Sequence, residues 1–268
     1  MKYFDFHTHA FTDELAPRAL SGLSDTSGKT PTTDGTVKGL REIMRKNNID
    51  EFLILPIATK PTQQTTINNW ASSVMGDGLY AFGTVHPDSY NAPEEIARIK
   101  SLGLYGIKFH SEYQKFCPDD PKMFPIYEKM TEYRLPALFH GGYDPYCDGD
   151  IRCTPERMAR TVEKFPELTF IVAHSGGLNM WDDVEKYLAG KYDNLYLDLS
   201  VIASFDIDKN QLFRIINNHG TDRILFGSDC PWDNPANEIN MINSLPLSED
   251  DREKIFFKNA HKLLGLSI

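Results

Sequence analysis

Short runs rich in β-branched and aromatic residues recur along this chain, each followed by a segment of helical period, and that alternation constrains the fold more than any other feature. Eight runs predict strands at 3–9, 51–57, 80–86, 103–110, 136–141, 168–174, 195–200 and 223–229. Helical periodicity fills the intervals at 37–47, 93–102, 124–133, 154–165, 179–189 and 209–218, and a last helical segment at 249–264 could close the ring. Two helix starts are written out: Thr154-Pro155-Glu156 sets a capping hydroxyl before a proline, and Ser248 precedes three acidic residues. Eight strands favour a closed α/β barrel, a (β/α)₈ or TIM barrel, over an open sheet of five or six. The 268 residues suit one such domain spanning 1–268. No GxGxxG follows the first strand, so a dinucleotide fold has no support.

The interval 11–36 breaks the pattern. It contains Gly22, Gly28, Pro31 and Gly35 with little periodicity, and its length directly after the first strand predicts an irregular loop acting as a lid.

Composition narrows the partners. A formal net charge of −10 disfavours nucleic-acid phosphates, leaving a small-molecule substrate as the expectation. No apolar run reaches the length of a membrane span and the first residues do not read as a signal peptide, so a cytoplasmic location is expected. Cys117, Cys147, Cys153 and Cys230 lack CxxC spacing and read as reduced thiols, with only the pair Cys147 and Cys153 leaving a disulfide open. Oligomeric state is left open, a homo-oligomer included.

The chemistry should sit where the strands end. In a barrel of this class, side chains from many strands converge at the C-terminal face. The first strand ends His7-Thr8-His9, two imidazoles two residues apart and so expected on one side. The fifth ends at His140, the sixth at His174 and the eighth at Asp229, each after an apolar run. Neutral imidazole with carboxylate suits zinc and similar first-row cations. Glycines after His140 and His174 leave room for a ligand or a tight turn.

These residues, with Gly106-Ile107-Lys108-Phe109-His110, Ala173-His174-Ser175-Gly176-Gly177, Phe226-Gly227-Ser228-Asp229-Cys230-Pro231 and the tail 258–266, resemble the successive motifs of the amidohydrolase superfamily. The nearest likeness is to its amidohydrolase-related branch, the group of aminocarboxymuconate-semialdehyde decarboxylase. The resemblance implies one divalent metal, zinc by preference, held by His7, His9, His140 and Asp229. It makes His174 and Asp229 the catalytic proton-transfer groups. Two metals bridged by carboxylated Lys108, with His174 as a ligand, are the alternative. Otherwise Lys108 and His110 bind an anionic substrate, and Tyr113, Gln114, Trp181 and Trp232 line its pocket.

The function expected first is a hydrolase that attacks an amide, ester or lactone of a small anionic substrate with metal-activated water. The alternative is a non-oxidative, metal-dependent decarboxylase. A noncatalytic binding barrel would not need both a metal and proton-transfer groups. A TatD-type deoxyribonuclease shares the HxH, but its pattern leads one to expect Glu-Thr-Asp where this chain has Gly227-Ser228-Asp229.

Overall fold

In a computed structural model that describes residues 1–27, 30–145, 147, 149 and 151–267, strands and helices alternate around a closed parallel barrel. The strands are β1 (Phe4–Thr8), β2 (Glu51–Ile54), β3 (Leu79–Ala81, continued by Gly83–Thr84), β4 (Ile107–Phe109), β5 (Ala137–Phe139), β6 (Phe170–Val172), β7 (Leu195–Asp198) and β8 (Ile224–Leu225). Neighbours pair in parallel in chain order. Closure comes from Phe6 N–H donating to the Phe226 carbonyl at 2.8 Å and from a parallel bridge between Thr8 and Cys230.

The period of two along each strand divides the core into two layers. Phe4, Phe6, Leu53, Leu55, Phe82, Leu138, Ile171 and Leu225 form one apolar cluster, capped by Phe257 and Ala260 of the C-terminal helical segment. Alternate residues such as Phe52, Ile54, Phe109, Phe139, Phe170, Val172 and Leu197 pack instead with the helices. Ile43 and Met44 of α2 (Val37–Lys46) meet that outer layer, as do Met158 and Val162 of α6 (Pro155–Lys164). The intervening helices are α3 (Gln64–Val74), α4 (Ala92–Ser101) and α5 (Phe124–Tyr133). Both written-out caps form: Thr154 accepts from the Arg157 N–H and Ser248 from the Asp251 N–H.

The interval 11–36 differs from its expectation of an irregular loop. It contains α1 (Ala16–Ser27), a 12-residue helix. Ala16, Ala19, Leu20 and Leu23 keep helical spacing in it, a short signal that the glycines and proline of the interval obscured. The neck of the excursion is tied, because Phe11 N–H donates to the Gly35 carbonyl and Thr32 N–H to the Pro231 carbonyl, both at 2.8 Å. Its returning arm therefore lies on the exit of β8, beside the residues expected to do chemistry. All four cysteines are free thiols. Among the described residues no helix is long and apolar enough to cross a membrane.

Candidate metal centre

β1 delivers its histidines through an irregularity. Phe4 and Asp5 pair with Glu51 and Phe52, but Thr8 pairs with Ile54, so β1 uses three steps where β2 uses two. This one-residue bulge lets Phe6 join the inner core while His7, its neighbour, also turns into the site. Gly227 makes room for it: a Cβ there would lie 2.7 Å from the His7 Cβ.

Each imidazole is held by its outer nitrogen. His7 Nδ1 lies 2.9 Å from an Asp198 oxygen, and His9 Nδ1 lies 2.9 Å from the Leu55 carbonyl, which can only accept. With the ring protons committed outward, each Nε2 of a neutral ring carries a lone pair. Those nitrogens stand 3.4 Å (His7) and 3.1 Å (His9) from Asp229 Oδ1. Three acceptors thus converge, with donor atoms within 4.8 Å of one another. Such a set fits a divalent cation, and the outward hydrogen bonds are the supports that metal-ligating histidines use. Lys108 Nζ lies 3.3 Å from His7 Nε2.

Backbone strain aims two of the groups. Asp229 (φ 62°) and His174 (φ 60°) occupy the left-handed region, which costs a non-glycine residue on the order of 1–3 kcal/mol and persists only where neighbours enforce it. Here they do. Asp229 N–H donates to the His7 carbonyl and its carbonyl accepts from Trp232 N–H, both at 2.8 Å, while His174 N–H donates to Asp198 Oδ1 at 3.3 Å.

Electrostatics suit cation binding. Burial, with Lys108 nearby, lowers the His7 pKa to about 4. Burial and the facing His140 lower that of His174 to about 3. Burial opposes ionisation of Asp229, but the close contact with His9 and the neighbouring His7 and His174 outweigh it and hold the carboxyl well below its usual range. Asp198 behaves likewise, burial being overcome chiefly by His7. His7 and His174 are thereby kept neutral and Asp198 and Asp229 charged, the forms that bind metal.

His140 stands one step away. Its Nδ1 faces His174 Nε2 at 3.0 Å, its Nε2 lies 3.2 Å from the Tyr143 carbonyl, and its ring stacks on His110 with centroids 4.4 Å apart. Its donor atoms group with His110 and Asp144 rather than with His7, His9 and Asp229. His174 is fixed from behind by Ser200, whose carbonyl lies 3.1 Å from Nδ1.

Of the residues expected to line a substrate pocket, Tyr113 stacks on His110 at 3.8 Å, and Lys108 and His110 are buried within the site. Burial lowers the Lys108 pKa to about 8, the carboxylates of Asp198 and Asp229 opposing it. Gln114 is buried, and its Nε2 donates to the Ala58 and Val85 carbonyls while its Oε1 accepts from the His110 N–H, so the amide clamps strand exits. Trp181 is also buried, its indole N–H donating to the His174 carbonyl at 3.3 Å, which supports the strained turn. Trp232 is half-buried beside Asp229. A cavity of about 250 Å³ opens between Glu112, Lys115, Tyr143, Asp144 and Arg152.

Sequence reasoning missed Asp198, Ser200 and Asp144. The first two had a signal, since Tyr196, Asp198 and Ser200 alternate along a run of apolar residues and share the barrel's inner side. Asp144 had none, because it lies in the connection after β5.

The amidohydrolase family profile matches residues 4–266. The chain is 22% identical over 275 residues to the 2-amino-3-carboxymuconate-6-semialdehyde decarboxylase of Caenorhabditis elegans, covering 80% of this chain and 67% of that protein. It is 31% identical over 123 residues to a gamma-resorcylate decarboxylase of Polaromonas sp. (strain JS666 / ATCC BAA-500), covering 39% of this chain and only 36% of that protein. Among solved structures, an uncharacterised TIM-barrel protein of Bordetella bronchiseptica superposes with a TM-score of 0.80 at 20% identity, covering 99% of both chains. With the family profile running almost from end to end over a barrel whose strand exits carry the HxH and the eighth-strand aspartate, the chain belongs to the amidohydrolase family of metal-dependent enzymes.

Proposed function

We propose that this protein is a non-oxidative decarboxylase of a small carboxylic acid, with a divalent metal, zinc by preference, held by His7, His9, His140 and Asp229. One observation carries the reading: two Nε2 lone pairs lie within 3.4 Å of the Asp229 carboxylate oxygen, beside the buried ammonium of Lys108. A bound cation would act as a Lewis acid on a substrate oxygen. Lys108, the adjacent fixed cation, would hold the substrate's carboxylate against this end of the site. His140, whose Nδ1 lies 3.0 Å from His174 Nε2, would turn its ring onto the ion as a further ligand. As the carbon–carbon bond breaks and carbon dioxide leaves, the electron pair stays on the substrate carbon and takes a proton that is drawn from water and passed on by His174 or Asp229. The likeness to two decarboxylases supports this reading, the alternative that the sequence offered beside hydrolysis.

Hydrolysis is the second reading, favoured by Asp229, whose carboxylate touches both imidazoles and could take the proton of an attacking water. A panel of aromatic and unsaturated carboxylates, esters, lactones and amides decides between them. Carbon dioxide released in step with loss of substrate supports the first reading, and turnover of an ester, lactone or amide without gas replaces it with the second.

We further propose a cytoplasmic, single-domain protein acting on a small molecule. Dependence of turnover on added Zn²⁺ over Mn²⁺ after metal depletion tests the choice of metal, and equal reactivation by both would remove the preference.

A further inference from the structure

We infer that Ser200 is a positioning residue for proton transfer: it fixes the tautomer of His174 and ties that ring to the carboxylate of Asp198. The inference rests on the reading of His174 as a proton carrier, and not on which of the two reactions it serves.

Ser200 is fully buried at the exit of β7. Gly227, after β8, leaves it room, since a Cβ there would stand 3.2 Å from the Ser200 Cβ. The backbone turns sharply just beyond it. Val201 has φ 58°, a left-handed conformation that a β-branched residue adopts only under constraint. The constraint comes from the helix Pro235–Asn243 and the segment before it: Glu238, wholly buried, accepts from the Ala203 N–H at 2.9 Å, and Ser204 Oγ donates to Asp233 Oδ2. A turn gripped in this way sets the hydroxyl and the carbonyl of Ser200 on one target.

That target is His174 Nδ1, 3.1 Å from the Ser200 carbonyl and 3.0 Å from Ser200 Oγ. A carbonyl can only accept, so a neutral His174 carries its ring proton on Nδ1 and its lone pair on Nε2, the nitrogen facing His140 at 3.0 Å. The Ser200 hydroxyl has one proton of its own, which it gives to Asp198 Oδ1. Its oxygen is thereby left to accept from His174. The other oxygen of Asp198 takes the His7 ring proton at 2.9 Å, and Oδ1 also accepts from the Ser200 N–H at 3.0 Å.

The consequence is a division of labour within one ring. A proton enters His174 from water at Nε2 and leaves from Nε2 to the substrate, while the Nδ1 proton stays where Ser200 holds it. With both nitrogens protonated the ring is a cation, and the run from Nδ1–H through the Ser200 hydroxyl to the Asp198 carboxylate is a charge-assisted chain that stabilises it. Without the hydroxyl the ring keeps the carbonyl and loses the link to Asp198.

Two measurements on the zinc-loaded full-length protein test this. In two-bond ¹H–¹⁵N correlation spectra at neutral pH, with His174 assigned by its loss in His174→Asn, the wild-type ring should carry its proton on Nδ1. A proton on Nε2 alone would overturn the inference. On whichever carboxylate, ester, lactone or amide the wild type turns over, Ser200→Ala should lower kcat by about 10-fold, the effect of losing one hydrogen bond to a charged group, with KM and bound metal unchanged. Wild-type kcat in Ser200→Ala beside a large loss in His174→Asn would defeat the inference alone, and wild-type kcat in both variants would defeat the reading of His174 beneath it. A fall in bound metal matching the fall in kcat would also overturn it, because Ser200 would then act through His7.

Discussion

The two histidine–carboxylate clusters at the barrel mouth use the same residue types and differ in how their outer nitrogens are held. At His7 and His9 every outer nitrogen has a partner from another strand, Asp198 of β7 and Leu55 after β2, each at 2.9 Å. At His110 the outer nitrogen faces Glu112, two residues along its own connection, at 3.6 Å, too far for a hydrogen bond. A ligand anchored by a different strand cannot move without deforming the barrel, whereas one supported by its own loop moves with that loop. The first cluster is therefore held more firmly than the second.

The largest expected effect separates a proton-transfer group from a ligand. His174→Asn should lower kcat by roughly 10²–10⁴-fold, the usual contribution of a general acid or base, while metal content stays as in wild type. Parallel measurement of kcat and bound metal checks this, and loss of the His7–His9 ion would make His174 a ligand and the comparison false. Next in size is the cross-strand support. Asp198→Asn should weaken the metal by about 10–100-fold, and Glu112→Gln should leave it untouched. Competition with a coloured chelator reads both affinities, and equal losses in the two variants would erase the distinction between the clusters.

How far these features were legible follows from where they sit. The barrel was readable because each strand must bury both faces, which writes eight apolar runs into the sequence whatever the helices do. His7, His9 and Asp229 were readable because polar residues ending such runs have no packing reason to be there. The bulge in β1 was not, since a period of two places His7 and Phe6 on opposite faces and only the shifted pairing between Asp5 and Thr8 reconciles them. Gln114 reads as a polar pocket residue in the sequence, which does not show its three hydrogen bonds to backbone. Asp144 belongs to a connection without periodicity, where only folded coordinates bring it to His110.

The excursion 11–36 bears on the first cluster through its returning arm at Thr32. Removing α1 while keeping Phe11 and Thr36 joined by a short turn should raise KM several-fold and leave metal content unchanged. Unaltered KM on a responsive substrate would reduce the excursion to surface structure.

The smallest effect concerns a buried histidine outside both clusters. His219 Nε2 donates to the Leu195 carbonyl at 3.0 Å and its Nδ1 accepts from Gly190 N–H, and burial lowers its pKa to about 4 against an ordinary 6.5. Between those values the unfolded chain binds the proton and the folded chain does not, so this contribution to stability is full above about pH 6.5 and falls away toward pH 4. Urea melts of wild type and His219→Gln across that range should show a shallower pH dependence in the variant. Parallel slopes would show that His219 carries no part of it.

The central claim is that His7 and His9, with Asp229, hold a metal ion at the mouth of the barrel, and elemental analysis of the purified wild type beside the double variant His7→Ala, His9→Ala tests it most directly. The account expects the variant to keep its circular dichroism, since a barrel core of this size does not depend on one ion, and to carry one equivalent of divalent metal fewer than wild type. Full metal retention in the folded double variant would contradict it.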